Sequence, residues 1–172
     1  MKFLFLLAVT GMAAVWDIRT GKVPNVLIAA GLGIACWFRM MESGRAGLWQ
    51  FLGGGILPLL LLAALFYFRM LGAGDIKLFC VIGGFLGTEG LLSCMAVSFL
   101  TGAVLSLILL FKRRILKKRL QYFFAYIGEF IRTGIWVPYR DGMDREAGFC
   151  FTVPIFFSVL LVLSGNVSEF RI

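Results

Sequence analysis

Six apolar runs, near residues 3–16, 25–41, 48–70, 76–88, 90–111 and 149–165, alternate with short polar or basic stretches along the chain. Runs of this length with little internal charge predict membrane-spanning helices, each needing about 20 residues to cross a bilayer. The run at 76–88 is short for that task, but Lys77 can reach the headgroups with its ammonium while its stem stays in the apolar layer. The expected fold is therefore an all-α integral membrane protein, a bundle of about six transmembrane helices. Over 172 residues this leaves room for one modest loop, so 1–172 is expected to form a single membrane-embedded domain.

Composition agrees with the pattern. The chain is 60% hydrophobic and only 15% charged, with a mean hydropathy of +0.94, which excludes a soluble domain of ordinary make-up. A net charge of +8 raises the question of nucleic acid. The basic residues fall between apolar runs, however, and no aromatic-basic recognition motif accompanies them, so no nucleic-acid partner is expected.

Those charges set a sidedness instead. With six crossings, 13 of the 17 basic residues share one face: Arg19, Lys22, Arg69, Lys77, Lys112, Arg113, Arg114, Lys117, Lys118, Arg119, Arg132, Arg140 and Arg145. Lys2, Arg39, Arg45 and Arg171 lie opposite. The positive-inside rule makes the first face cytoplasmic and puts both termini outside. The opening Met1-Lys2 and Phe3 to Val9 also resemble a secretory signal. Removing that segment would put Asp17 at an external N-terminus and require the basic tract 112–119 to be translocated, so the first run is read as a retained span.

The segment 112–148 opens on Lys112-Arg113-Arg114 and Lys117-Lys118-Arg119, then turns apolar and aromatic from Leu120 to Ile131. This predicts a basic cytoplasmic loop or interfacial helix between spans five and six, lying against anionic lipids of the inner leaflet. The 21 glycines gather inside the apolar runs and predict close helix contacts. Pro58 and Pro154 can kink the runs that hold them. The four cysteines, Cys36, Cys80, Cys94 and Cys150, form no C-x-x-C pair and histidine is absent. No metal site and no cofactor are expected.

Chemistry is carried by two acids. Carboxylates at the edge of apolar runs are costly to place and point to function. Asp17 closes the first run within Trp16-Asp17-Ile18-Arg19-Thr20-Gly21-Lys22-Val23-Pro24-Asn25, where Pro24 closes a short loop and Asn25 can cap the next helix. Asp75 follows Gly72-Ala73-Gly74 and precedes Ile76-Lys77; its glycines permit backbone angles closed to other residues and leave an extended peptide room to approach. Two runs separate Asp17 from Asp75, so parity alone returns both carboxylates to the cytoplasmic face. Two carboxylates sharing a proton can activate a water and polarise a carbonyl without metal or histidine. Arg19 and Lys77 each stand two positions from an acid and need not face it.

Asp17 with Val23-Pro24-Asn25, and Gly72-Ala73-Gly74-Asp75-Ile76-Lys77, resemble the two signatures of type IV prepilin peptidases, membrane aspartic proteases of the G-x-G-D kind. The resemblance spans about residues 10–90 and extends weakly to the last apolar run. It implies a helical membrane bundle in a bacterial plasma (inner) membrane that removes the short basic leader of prepilins or pseudopilins at the cytoplasmic side, with catalytic aspartates at Asp17 and Asp75. Gly72, Gly74, Lys77, Arg19, Pro24 and Asn25 are the accompanying motif and substrate-approach residues. The N-terminal insertion with paired cysteines that accompanies methyltransferase activity in larger members has no counterpart here, and the chain resembles the compact peptidases of tight-adherence, Flp-type or competence systems. Two other functions fit the same acids: an ion- or proton-coupled transporter, and a catalytically silent subunit of a pilus-assembly machine.

Overall fold

A computed structural model describes residues 1–68, 70–112 and 150–165. Its elements are helices, α1 (Lys2–Thr20), α2 (Asn25–Tyr67), α3 (Ala73–Lys112) and α4 (Thr152–Gly165), with no strand among the described residues. The all-α expectation holds. Among the described residues, three helices, α1, α2 and α3 up to Leu109, are long and apolar enough to cross a membrane, while α4 is shorter at 14 residues. Large apolar side chains also cover the outside, among them Trp37, Leu60 and Leu100. Such a surface suits hydrocarbon rather than water.

The two longest helices each break at one glycine. Gly44 (φ 54°, ψ −127°) and Gly87 (φ 78°, ψ −173°) adopt positive φ angles that a Cβ would oppose. Pro58, expected to kink its run, is buried inside α2, where Gly44 is the residue with non-helical angles. The chain reverses at both breaks. Beyond Gly44, the side-chain position of Gly47 faces the Arg39 carbonyl, and Arg39 Nη1 donates to Gln50 Oε1 at 2.8 Å. Across Gly87, Phe79 and Phe99 stack with centroids 6.4 Å apart; in one unbroken helix, residues so separated would stand about 30 Å apart.

Four helices thus become six helical arms, α1, 25–43, 45–67, 73–86, 88–112 and α4. Side-chain links give their directions. Lys2 Nζ pairs with Glu42 at 2.8 Å, joining the start of α1 to the end of the second arm. At the other end, Lys77 Nζ donates to Asn25 Oδ1 at 2.9 Å, joining the starts of α3 and α2. Thr152 Oγ1 donates to Asp17 Oδ2 at 2.8 Å, joining the start of α4 to the end of α1. Asp17 and Asp75 therefore share one end, and Gly44 and Gly87 mark the opposite end.

The short arm 73–86 lies at the centre of the core. Ile76, Leu78, Phe79, Cys80, Val81, Ile82 and Phe85 are all buried, with Leu6, Val9, Leu62, Leu91 and Ile155 packed in the same cluster. Small residues allow this. Gly54 and Gly83 meet backbone to backbone, Gly31 receives Val81 and Val9, and Gly84 receives Phe51 and Ala35. Without a hydrophobic drive between helices in lipid, such close approach supplies the van der Waals contact that holds arms together. A buried bond from Ser98 Oγ to Ser158 Oγ (2.6 Å) fixes α4 against α3.

By its internal contacts the chain forms two compact units, Met1–Thr101 with Cys150–Ile172, and Gly102–Phe149. The described part of the second is the last stretch of α3. The expected interfacial segment at 112–148 lies, beyond Lys112, outside the described residues, as does Arg69.

Candidate active site

Asp17 occupies the last turn of α1. The helix stops because Gly21 takes a left-handed conformation (φ 65°, ψ 18°) and its N–H donates to the Asp17 carbonyl at 2.7 Å, a glycine C-terminal cap. That stop leaves the half-buried Asp17 side chain at the helix end, where Thr152 holds one of its oxygens. Asp75 is the third residue of α3 and also half-buried. Its carboxylate reaches back to accept a hydrogen bond from the N–H of Gly72, the residue before the helix, as the acid of a capping box does. Capping leaves Asp75 with acceptor capacity to spare, since one N–H engages only part of it.

The charge of Asp17 acts on the Asp75 carboxyl. Both acids also act on Cys150, two residues before α4. Burial pushes the Cys150 thiol up, and the charge of Asp17, a hydrogen bond to Asp17 and the charge of Asp75 add to the shift. The Cys150 Sγ lies 3.9 Å from the Asp17 carbonyl oxygen. Three elements, the end of α1, the start of α3 and the approach to α4, therefore converge on one small acidic site.

The accompanying residues divide. Gly72 and Gly74 were expected to supply unusual backbone angles and open room; neither has a positive φ. What they supply is space already filled by the protein itself. A Cβ on Gly72 would sit 3.1 Å from Asp75 Oδ2, and one on Gly74 would sit 3.3 Å from the Val23 side chain. Pro24, with extended angles (φ −63°, ψ 131°), is the N-cap of α2. Asn25, expected to cap, is the first helical residue, and its side chain instead accepts the Lys77 ammonium. The exposed Lys77 thus ties the start of α3 to α2. Arg19 lies on another face of α1, lining an apolar groove with Trp16, Thr20, Phe156 and Leu160, as its two-residue offset from Asp17 requires.

Thr152 and Cys150 did not emerge from the sequence. The available signal was weak: Thr152 is a polar residue opening an apolar run, and a buried hydroxyl in such a run needs a partner. Among the described residues, no group of three or more potential metal ligands gathers.

The class so defined is an all-helical protein, apolar enough in three helices to cross a membrane, with two interacting acids at one end of the bundle. The model of the type IV leader peptidase family matches residues 4–107, well over half the chain, and the chain belongs to that family. The match includes Asp17 and Asp75 and ends before Cys150 and Thr152. No curated protein and no solved structure matches the chain. Membership supports a protease with leader-peptidase-like function and, in general, a prepilin-type substrate.

Proposed function

We propose that the protein is a membrane aspartic endopeptidase that cuts the leader from prepilins or pseudopilins at the cytoplasmic face, using Asp17 and Asp75 as its dyad. The observation that supports this reading is that both carboxylates lie at one end of the bundle, close enough for the charge of Asp17 to act on Asp75. Two acids brought close together favour a state in which they share a single proton. The ionised member takes a proton from water as that water attacks the scissile carbonyl, and the protonated member hydrogen-bonds the carbonyl oxygen as it gains charge. Collapse of the tetrahedral intermediate returns a proton to the leaving amine.

In this reading each of the six arms crosses the bilayer, and the 13-to-4 division of basic residues puts the carboxylate end in the cytoplasm of a bacterial cell. Anionic headgroups there would neutralise part of the basic surface. A prepilin anchored by its own apolar helix would present its leader junction at the dyad in extended form.

Purified protein incubated with a detergent-solubilised prepilin tests the reading. Asp17→Asn and Asp75→Asn should each lower the cleavage rate by at least about 10³-fold, since the two groups act as one unit. Full cleavage by either variant would remove the dyad.

A further inference from the structure

The bond between Thr152 and Asp17 has chemical content beyond packing. Thr152 is fully buried, at 0% exposure, and its hydroxyl donates to Asp17 Oδ2 at 2.8 Å. The Thr152 hydroxyl donates more strongly to a carboxyl oxygen that carries no proton, so the bond favours Oδ2 as an acceptor. Oδ1 is then the oxygen left for other partners. The carboxylate is also prevented from turning about its last torsion, a broad and soft coordinate for an acid left to itself.

The placement of Thr152 is over-determined. Phe151 packs on Phe99 at a centroid distance of 5.6 Å, and Phe99 stacks in turn on Phe79 at 6.4 Å. Two turns further along α4, Ser158 is bonded to Ser98. Both contacts are with the arm of α3 beyond Gly87, which Phe99 in turn joins to Phe79 on the arm that carries Asp75. The helix that carries one acid thereby sets the register of the hydroxyl that orients the other.

Resting on the peptidase reading above, we propose that Thr152 is a positioning residue of the dyad: it fixes the rotation of the Asp17 carboxylate and reserves Oδ1 for the shared proton or the attacking water. The last helix, outside the region that defines family membership, is on this account part of the catalytic apparatus.

Thr152→Val keeps the shape and removes the donor, whereas Thr152→Ser keeps the donor and loses a methyl. Cleavage of a detergent-solubilised prepilin should show kcat reduced roughly 10- to 100-fold in Thr152→Val with KM within about twofold, the size expected for one bond to an acid acting in the transition state. Thr152→Ser should recover the rate to within about threefold. Wild-type kcat in Thr152→Val, equal losses in both variants, or a loss confined to KM would each overturn the proposal. Thermal unfolding of Thr152→Val, Asp17→Asn and the double variant supplies a readout independent of activity. Bonded partners give non-additive shifts in Tm, and additive shifts would show that no such bond exists. If the wild-type protein leaves the prepilin intact, or Asp17→Asn cuts it fully, the peptidase reading fails and the catalytic role of Thr152 falls with it, while a non-additive cycle still establishes the bond.

Discussion

Gly54 and Gly83 approach so closely that a Cβ on either would fall on the backbone carbonyl of the other. The contact joins the arm 45–67 to the central arm 73–86, and it is reciprocal, so neither partner can take a methyl without parting the helices. Gly54→Ala or Gly83→Ala should therefore cost about 1–3 kcal/mol of stability. Gly33, with nothing within 4 Å of its side-chain position, is the control. Gly33→Ala should leave stability unchanged or raise it by up to about 1 kcal/mol through helix propensity. Thermal unfolding in one detergent compares all three, and equal Tm values would contradict the close packing.

Gly72 makes a different demand. A methyl there would sit 3.1 Å from Asp75 Oδ2, close enough that the carboxylate must shift by a few tenths of an ångström. The backbone has no strain to relieve, because φ is not positive. Gly72→Ala should thus lower prepilin cleavage by about 3- to 30-fold, a misplacement effect, with Tm within about 2 °C of wild type, as expected of a substitution outside the packed core. A parallel collapse of Tm and activity would assign Gly72 a structural role instead.

Cys150 offers a probe of both acids that needs no substrate. Burial raises its thiol first, and Asp17 and Asp75 raise it further, so at a given pH less of it is the reactive thiolate than for an ordinary cysteine. The pH at which maleimide labelling reaches half its limiting rate should lie above the normal thiol range. Asp17→Asn removes one negative charge and should move that midpoint down, speeding labelling at fixed pH. The measurement, by mass spectrometry, uses a background of Cys36→Ser, Cys80→Ala and Cys94→Ala. An unchanged rate in Asp17→Asn would separate Cys150 from the carboxylates.

Much of this organisation can be read along the chain, and for identifiable reasons. Apolar runs long enough to matter leave a strong signal, and alternation of direction follows from counting them, so the shared end of Asp17 and Asp75 is legible before any coordinates. The turn at Gly87 is less so. The run 76–88 passes through it, because a single glycine with positive φ has the same hydropathy as one packed against a neighbour. The need for Gly72 and Gly74 is hard to read for a related reason: a glycine can serve through its angles or through its missing side chain, and their φ angles together with the positions of Asp75 Oδ2 and Val23 point to the second. Asn25 looked like a cap because its type favours caps, yet the ammonium of Lys77, distant in sequence, claims its oxygen. Thr152 was hidden most completely, since its partner stands 135 positions away.

The two glycine reversals leave the bundle tied unequally. At the end marked by Gly44 and Gly87, neighbouring arms are joined through single residues, and Arg39 laces them further through the Gly84 carbonyl and Gln50. At the carboxylate end, α1 joins α2 and α2 joins α3 through longer stretches, 21–24 and 68–72. Parting of the arm 25–43 from 45–67, or of 73–86 from 88–112, thus has its fulcrum at a glycine and its greatest swing at the opposite end. Small angular motions at Gly87 would translate into the largest changes in distance at the end where Asp75 stands.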